Sequence, residues 1–87
     1  MAKIIELKIL PEYFAPVAIG EKKFEVRYDD RNFAVGDIII LREYDGEKYT
    51  GKKLSVKITY ILRGGAYGIA EGYVVLSITK LDGVRKC

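Results

Sequence analysis

The chain has 87 residues, with 15 Lys and Arg against 12 Asp and Glu, a formal net charge of +3, and 49% hydrophobic residues. That length is read as one domain, 1–87, burying roughly 60–65% of its unfolded surface, and its apolar runs are too short to cross a bilayer. With no histidine and a single cysteine, Cys87, a His-assisted nucleophile, an internal disulfide and a nitrogen- or sulfur-bound zinc are all excluded, so no metal and no cofactor are expected.

From Lys3 to Ile9, apolar Ile5, Leu7 and Ile9 alternate with Glu6 and Lys8, the period of a half-buried strand. Leu10-Pro11-Glu12 then opens a short helix, with proline in the first turn and an acid at the positive end of the dipole, and Gly20 is placed to end it. Tyr13, Phe14, Val17 and Ile19 are its candidate buried face. Pro16 removes an interior donor, so this helix is expected to be kinked, 3₁₀-like or split. A second strand runs from Lys22 to Tyr28, and Asp29-Asp30-Arg31-Asn32 forms a polar turn after it. The third, Asp37 to Glu43, holds Ile38-Ile39-Ile40-Leu41, apolar on both sides and so expected to be covered on both, by the barrel interior and by the helix.

Asp45-Gly46 marks a hairpin into a fourth strand, Leu54 to Leu62, on which Leu54, Val56, Ile58, Tyr60 and Leu62 are expected to share one face. The basic residues of that hairpin (Arg42, Lys48, Lys52 and Lys53) alternate with Glu43, Asp45 and Glu47 and read as a solvated surface. Arg63-Gly64-Gly65-Ala66-Tyr67-Gly68 is expected to be a flexible loop, Tyr73 to Lys80 the fifth strand, and Leu81 to Cys87 a polar tail. Short strands, glycine turns and little helix argue for a mainly β fold, a small five-stranded barrel with one short helix.

The chemistry concentrates in Gly20-Glu21-Lys22-Lys23-Phe24-Glu25-Val26-Arg27. On a strand, Glu25 and Arg27 project from one face, and Phe24 and Val26 are expected to anchor the other in apolar packing. An ordinary surface ion pair would account for Glu25 and Arg27 alone. The pattern G-x-K-x-x-E-x-R, however, resembles that of the ASCH domains, a branch of the PUA-like barrels. Glu6–Phe14, Asp30–Asp37, Leu41–Tyr44, Thr59–Gly64 and Glu71–Leu76 also resemble one small ASCH-like family of unknown function from bacteria and phages, so that the likeness covers nearly the whole chain. It implies a PUA-like barrel with a cleft between barrel and helix, where Gly20, Lys22, Glu25 and Arg27 would bind RNA or a nucleotide-like ligand.

Arg27 suits a phosphate or a base edge because its planar fork donates two parallel hydrogen bonds, with Glu25 orienting it and Lys22 adding a mobile charge. Arg63 and Tyr67, on their glycine loop, are candidates for clamping a backbone and stacking a base. Some ASCH relatives are amidohydrolases of acylated cytidine, which makes Lys22 and Glu25 the candidate catalytic pair of a second reading. Two departures count against it: that pattern has a hydroxyl residue where Glu25 stands, and it uses a further carboxylate for which only Glu71 could substitute here. A protein-interaction module is the third reading. The expected address is cytoplasmic, and the oligomeric state is not readable from the sequence.

Overall fold

The computed structural model describes residues 2–81 and the backbone of 85–86; the expected polar tail beyond Leu81, with Cys87, lies outside the described side chains. In chain order the elements are β1 (Ile4–Ile9), α1 (Pro11–Ala18), β2 (Phe24–Tyr28), β3 (Ile38–Tyr44), β4 (Tyr49–Arg63), β5 (Tyr73–Lys80) and a two-residue β6 (Arg85–Lys86). Five of the strands form one curled sheet in the order β1-β3-β4-β5-β2, and β6 pairs with β4 beside that path. β1 runs parallel to β3, and every other pairing is antiparallel. The fold is thus a small half-barrel with one short helix, as the strand pattern implies.

The inner face of the curl carries the core. Ile5, Leu7 and Ile9 of β1 meet Ile39 and Leu41 of β3, Leu54, Val56 and Ile58 of β4, and Val74, Leu76 and Ile78 of β5. Phe14 and Val17 from α1 join this same cluster, so the helix plugs the inside of the curl. The outer residues Ile38 and Ile40 are therefore half-buried, where cover on both faces of β3 was expected.

Despite Pro16, α1 is one unbroken eight-residue helix. A proline here deletes only the bond to Glu12, and packing of Phe14 and Val17 outweighs that loss in so short a segment. Lys80 Nζ also donates to Ala18 O at 2.7 Å, placing a cation on the negative end of the dipole.

β4 departs from the expected alternation. The register slips between Ile58 and Tyr60, a bulge that reverses which residues face inward. Ile61 packs on the core, and Tyr60 turns outward with 62% exposure. The hairpin is not wholly solvated either: Glu43 is buried and accepts from Thr50 Oγ1 at 2.7 Å. The 64–73 loop is tied by hydrogen bonds from Gly64 N to Tyr73 O at 2.7 Å and from Gly65 N to Ile69 O at 2.8 Å. Gly64 is required there because a Cβ would stand 2.0 Å from Ala70 O.

One buried carboxylate fastens the start of the chain to the sheet. Asp37, 1% exposed, accepts from Lys3 N at 3.0 Å, Lys3 Nζ at 2.7 Å and Ala34 N at 3.0 Å. Burial raises its pKa, but the bonds from the Lys3 side chain, from the Lys3 and Ala34 amides, and the Lys3 charge together hold it below 3.8. A depressed folded-state pKa contributes stability that is present above the unfolded value and is lost as pH falls through the folded one. Asp37→Asn is therefore expected to cost about 2–4 kcal/mol in urea denaturation at neutral pH, and to flatten the loss of stability below pH 3.8. An unchanged acid limb in the variant would assign that limb to another group.

Candidate functional site at the seam between β1 and β2

β1 and β2 are the two ends of the strand order, and among the described residues no backbone ladder joins them. Arg27 bridges the gap. Its Nη2 donates to Lys8 O on β1 at 2.9 Å, and its Nε lies 3.7 Å from Glu25 Oε2. Glu25 is 5% exposed and also accepts from Lys22 Nζ at 3.2 Å, while that nitrogen donates to Phe24 O at 2.8 Å. A single buried carboxylate therefore lies between two cations, one hydrogen-bonded to Oε1 and one paired with Oε2, which offsets the cost of burying it.

The helix exit sets the position of Lys22. Gly20 adopts φ +84°, and the amides of Glu21 and Lys22 both donate to Pro16 O, at 2.9 and 3.0 Å. This turn folds the chain back across the helix end, as glycine caps do. Gly20 needs its freedom for that φ alone, since a Cβ would meet nothing within 4 Å. It contributes geometry and also lines a depression of about 280 Å³ with Val17, Lys22, Lys23, Val56 and Ile78.

The apolar face of β2 is its outer one, the reverse of what its alternation suggests. Glu25 and Arg27 do share a face, but it is the inner one. Phe24, Val26 and Tyr28 stand on the outer face with 45%, 52% and 57% exposure. β2 ends the sheet, and the inner space at the seam goes to the charged trio because Arg27 finds an acceptor there in Lys8 O.

Depressions line the seam. One of about 430 Å³ is bounded by Tyr13, Lys22, Phe24, Glu25 and Val26. Its neighbour, about 250 Å³, adds the helix entry at Leu10 and reaches Lys8 and Arg27. Beyond Arg27, a third of about 450 Å³ gathers Lys8, Arg31, Tyr28 and Tyr49, with Glu6 and Asp30 also on its wall. Lys22, Glu25 and Arg27 thus meet in one place.

Arg63 and Tyr67 do not join them. Arg63 Nη1 pairs with Asp29 Oδ2 at 3.2 Å over a separate depression that includes Gly64, Glu71 and Tyr73. Tyr67, with φ +57° and 84% exposure, stands on its loop and lines none of these depressions. Sequence reasoning missed Lys8, Tyr13 and Arg31. Lys8 and Tyr13 come from a strand and a helix whose nearness to β2 is decided by how the sheet curls. Lys8 carried only a signal of outward alternation.

No group of three or more His, Cys, Asp or Glu among the described residues is placed to hold a metal, and no helix there is long and apolar enough to cross a membrane. Comparison with known proteins finds a match over residues 4–78 to the family described as a domain of unknown function, DUF3850. The chain belongs to this DUF3850 family. It is also 44% identical over 59 residues to the uncharacterized 12.9 kDa protein in the GpA 3' region of Escherichia phage P2, an overlap of 68% of this chain and 54% of the phage protein. The chain spans about half the length of that relative. The matched 4–78 segment contains the whole charged trio and the seam.

The trio makes a stability prediction for this DUF3850 domain. Glu25→Ala leaves Lys22 and Arg27 facing one another with no anion between them, and should lower stability by about 2 kcal/mol, or roughly 8–16 °C in thermal midpoint. Salt screens the remaining repulsion, so the loss should shrink at high ionic strength. A midpoint equal to that of the parent protein would show that the buried pair contributes nothing.

Proposed function

We propose that this protein binds RNA or a nucleotide-like ligand in the seam cleft, with Arg27 and Lys22 as anion-binding groups and Glu25 as their orienting carboxylate. The single observation that carries this reading is the state of Arg27. Its guanidinium is held on one side by Glu25 and Lys8 O, leaving donors of a pre-set fork toward depressions that Lys8 and Arg31 also line. A planar fork fixed before the ligand arrives loses little freedom on binding a phosphate or base edge. Tyr28 and Tyr49 supply aromatic wall beside it. The pattern G-x-K-x-x-E-x-R, the half-barrel and the helix beside the cleft support the ASCH-like, PUA-like assignment as part of the same proposal. A cytoplasmic address goes with it.

The amidohydrolase alternative asks Lys22 to act as a base. Its Nζ donates to both Glu25 Oε1 and Phe24 O, so two of its three protons are engaged with acceptors and it serves better as a fixed charge with one donor left for an anion. Incubation with a panel of N4-acylated cytidines should give no turnover. Turnover abolished by both Lys22→Ala and Glu25→Gln would replace the binding module with a hydrolase.

For binding, log affinity for single-stranded RNA should fall with log salt at a slope of about −2 to −3, as for three or four neutralised phosphates. Arg27→Ala and Arg27→Lys should each weaken it, the second because a point charge replaces a fork that also bridges to Lys8 O. Salt-independent binding, or full affinity in Arg27→Lys, would contradict the cleft assignment.

A further inference from the structure

The outer surface of β2, β5 and the second half of β4 is unlike the rest of the molecule. Pairing places Phe24 opposite Ser77 and Ser77 opposite Tyr60 in one row, and Val26, Val75 and Leu62 in the next. Tyr28 and Tyr73 face each other in a third, edge to face, with ring centroids 5.3 Å apart. Phe24, Val26, Tyr28, Tyr60 and Tyr73 are all exposed. Gly72 leaves room for the Tyr28 ring, since a Cβ there would stand 2.7 Å from Tyr28 Cε1.

The charges on these strands are one-sided. Across Phe24–Tyr28, Tyr49–Arg63 and Tyr73–Lys80, Glu25 is the sole carboxylate, and it points inward. Of the cations on these strands, Lys53 and Lys57 alternate to the outer face, whereas Arg27 shares the inner face with Glu25, Lys80 donates to Ala18 O at the helix end and Arg63 pairs with Asp29. Lys22 Nζ sits 4.8 Å from the Phe24 ring centroid, so one end of the aromatic rows starts at a cation of the cleft. Phe24 and Val26 also wall the depression that holds Lys22 and Glu25, which makes the cleft continuous with the outer surface over the edge of β2.

We propose that this outer surface is a stacking platform for single-stranded nucleic acid, whose bases lie on Phe24, Tyr28 and Tyr60 while its backbone continues into the cleft. The inference rests on the nucleic-acid reading of the cleft and enlarges it. Exposed aromatics on an antiparallel sheet accept bases of any sequence through their π faces, and a carboxylate-free strand surface lets the phosphates approach without repulsion. A second copy of the chain suits the surface less, because the outer face of these strands carries Lys57 and offers no strand carboxylate for it to meet on a twin.

The test is fluorescence anisotropy with a 5′-fluorescein-labelled oligouridine of about twelve nucleotides, within the usual span of such sites, and with an RNA duplex of the same length. Tyr60→Ala should weaken single-strand binding by about tenfold, Tyr60→Phe should retain it, and Val26→Asp should weaken it by charge. Duplex binding should not respond to Tyr60→Ala, since paired bases are not available to stack. Because Tyr60 is 62% exposed, its variants are expected to keep the parent thermal midpoint.

Loss with Arg27→Ala but none with Tyr60→Ala or Val26→Asp would overturn the platform and leave the cleft. Loss with Tyr60→Ala but none with Arg27→Ala would do the reverse. No binding by the parent protein would remove both. Sedimentation supplies a further check: a parent dimer that Tyr60→Glu converts to monomer, with oligouridine affinity unchanged, would make the surface a self-interface and overturn the proposal.

Discussion

The backbone ladder of this half-barrel runs from β1 to β2 through three intervening strands and is not completed between its ends. At that break a side chain takes over from the main chain. Arg27 donates to Lys8 O, and Glu25 is the anion beside it. A closed ladder would fill the seam with backbone and leave no inner space for charged groups. An open one without Arg27 would present unpaired edges, the arrangement most prone to unwanted pairing. The charged trio therefore occupies the position where the sheet most needs polar contacts, and the cleft exists for the same reason.

Such a site has to be held by parts of the fold that are not themselves in it. The carboxylate of Asp37 anchors Lys3 beside the start of β1, the strand that supplies the Lys8 carbonyl. Lys80 closes the end of α1, from which the Gly20 turn directs Lys22 back toward Glu25. Gly64 lets the loop after β4 lie against Ala70 and Tyr73, fixing the far end of the aromatic surface. None of these contacts faces the cleft. Each restrains one side of it, which is how a small sheet with a single core maintains a buried anion between two cations. The remaining basic side chains of the hairpin are partly spent on local contacts: Arg42 stacks 3.9 Å from the Tyr49 ring centroid and pairs with Glu6 at 3.6 Å.

β2 has two distinct faces with different chemistry. Inside it offers Glu25 and Arg27, and outside Phe24, Val26 and Tyr28. On an interior strand the apolar face would be expected to pack against the core. On an end strand the rule weakens, because the inner space beside it is bounded by a gap and not by another strand. The chain uses that freedom to bury charge and expose aromatic surface, which costs solubility on one side and gives a ready-made contact area on the other.

Much of this was legible from residue order alone. Alternation located β1 and the core positions Ile5, Leu7, Ile9, Leu54, Val56 and Ile58, because burial on one face of a strand imposes a period of two on the sequence, and a short apolar run located β3. The spacing of Glu25 and Arg27 placed them on a common face for the same reason, and Pro11 and Gly20 bracketed the helix. Tertiary structure alone decided which face was inward, since alternation is symmetric and only the neighbours of β2 break the tie. It decided the bulge at Tyr60, which depends on the partner strand, and the survival of α1 through Pro16, which depends on what Phe14 and Val17 bury against. It separated Arg63 and Tyr67 from the trio and brought in Lys8 and Tyr13, because the distance between residues far apart in sequence is set by the curl of the sheet, a property of all the strands together that no local segment encodes.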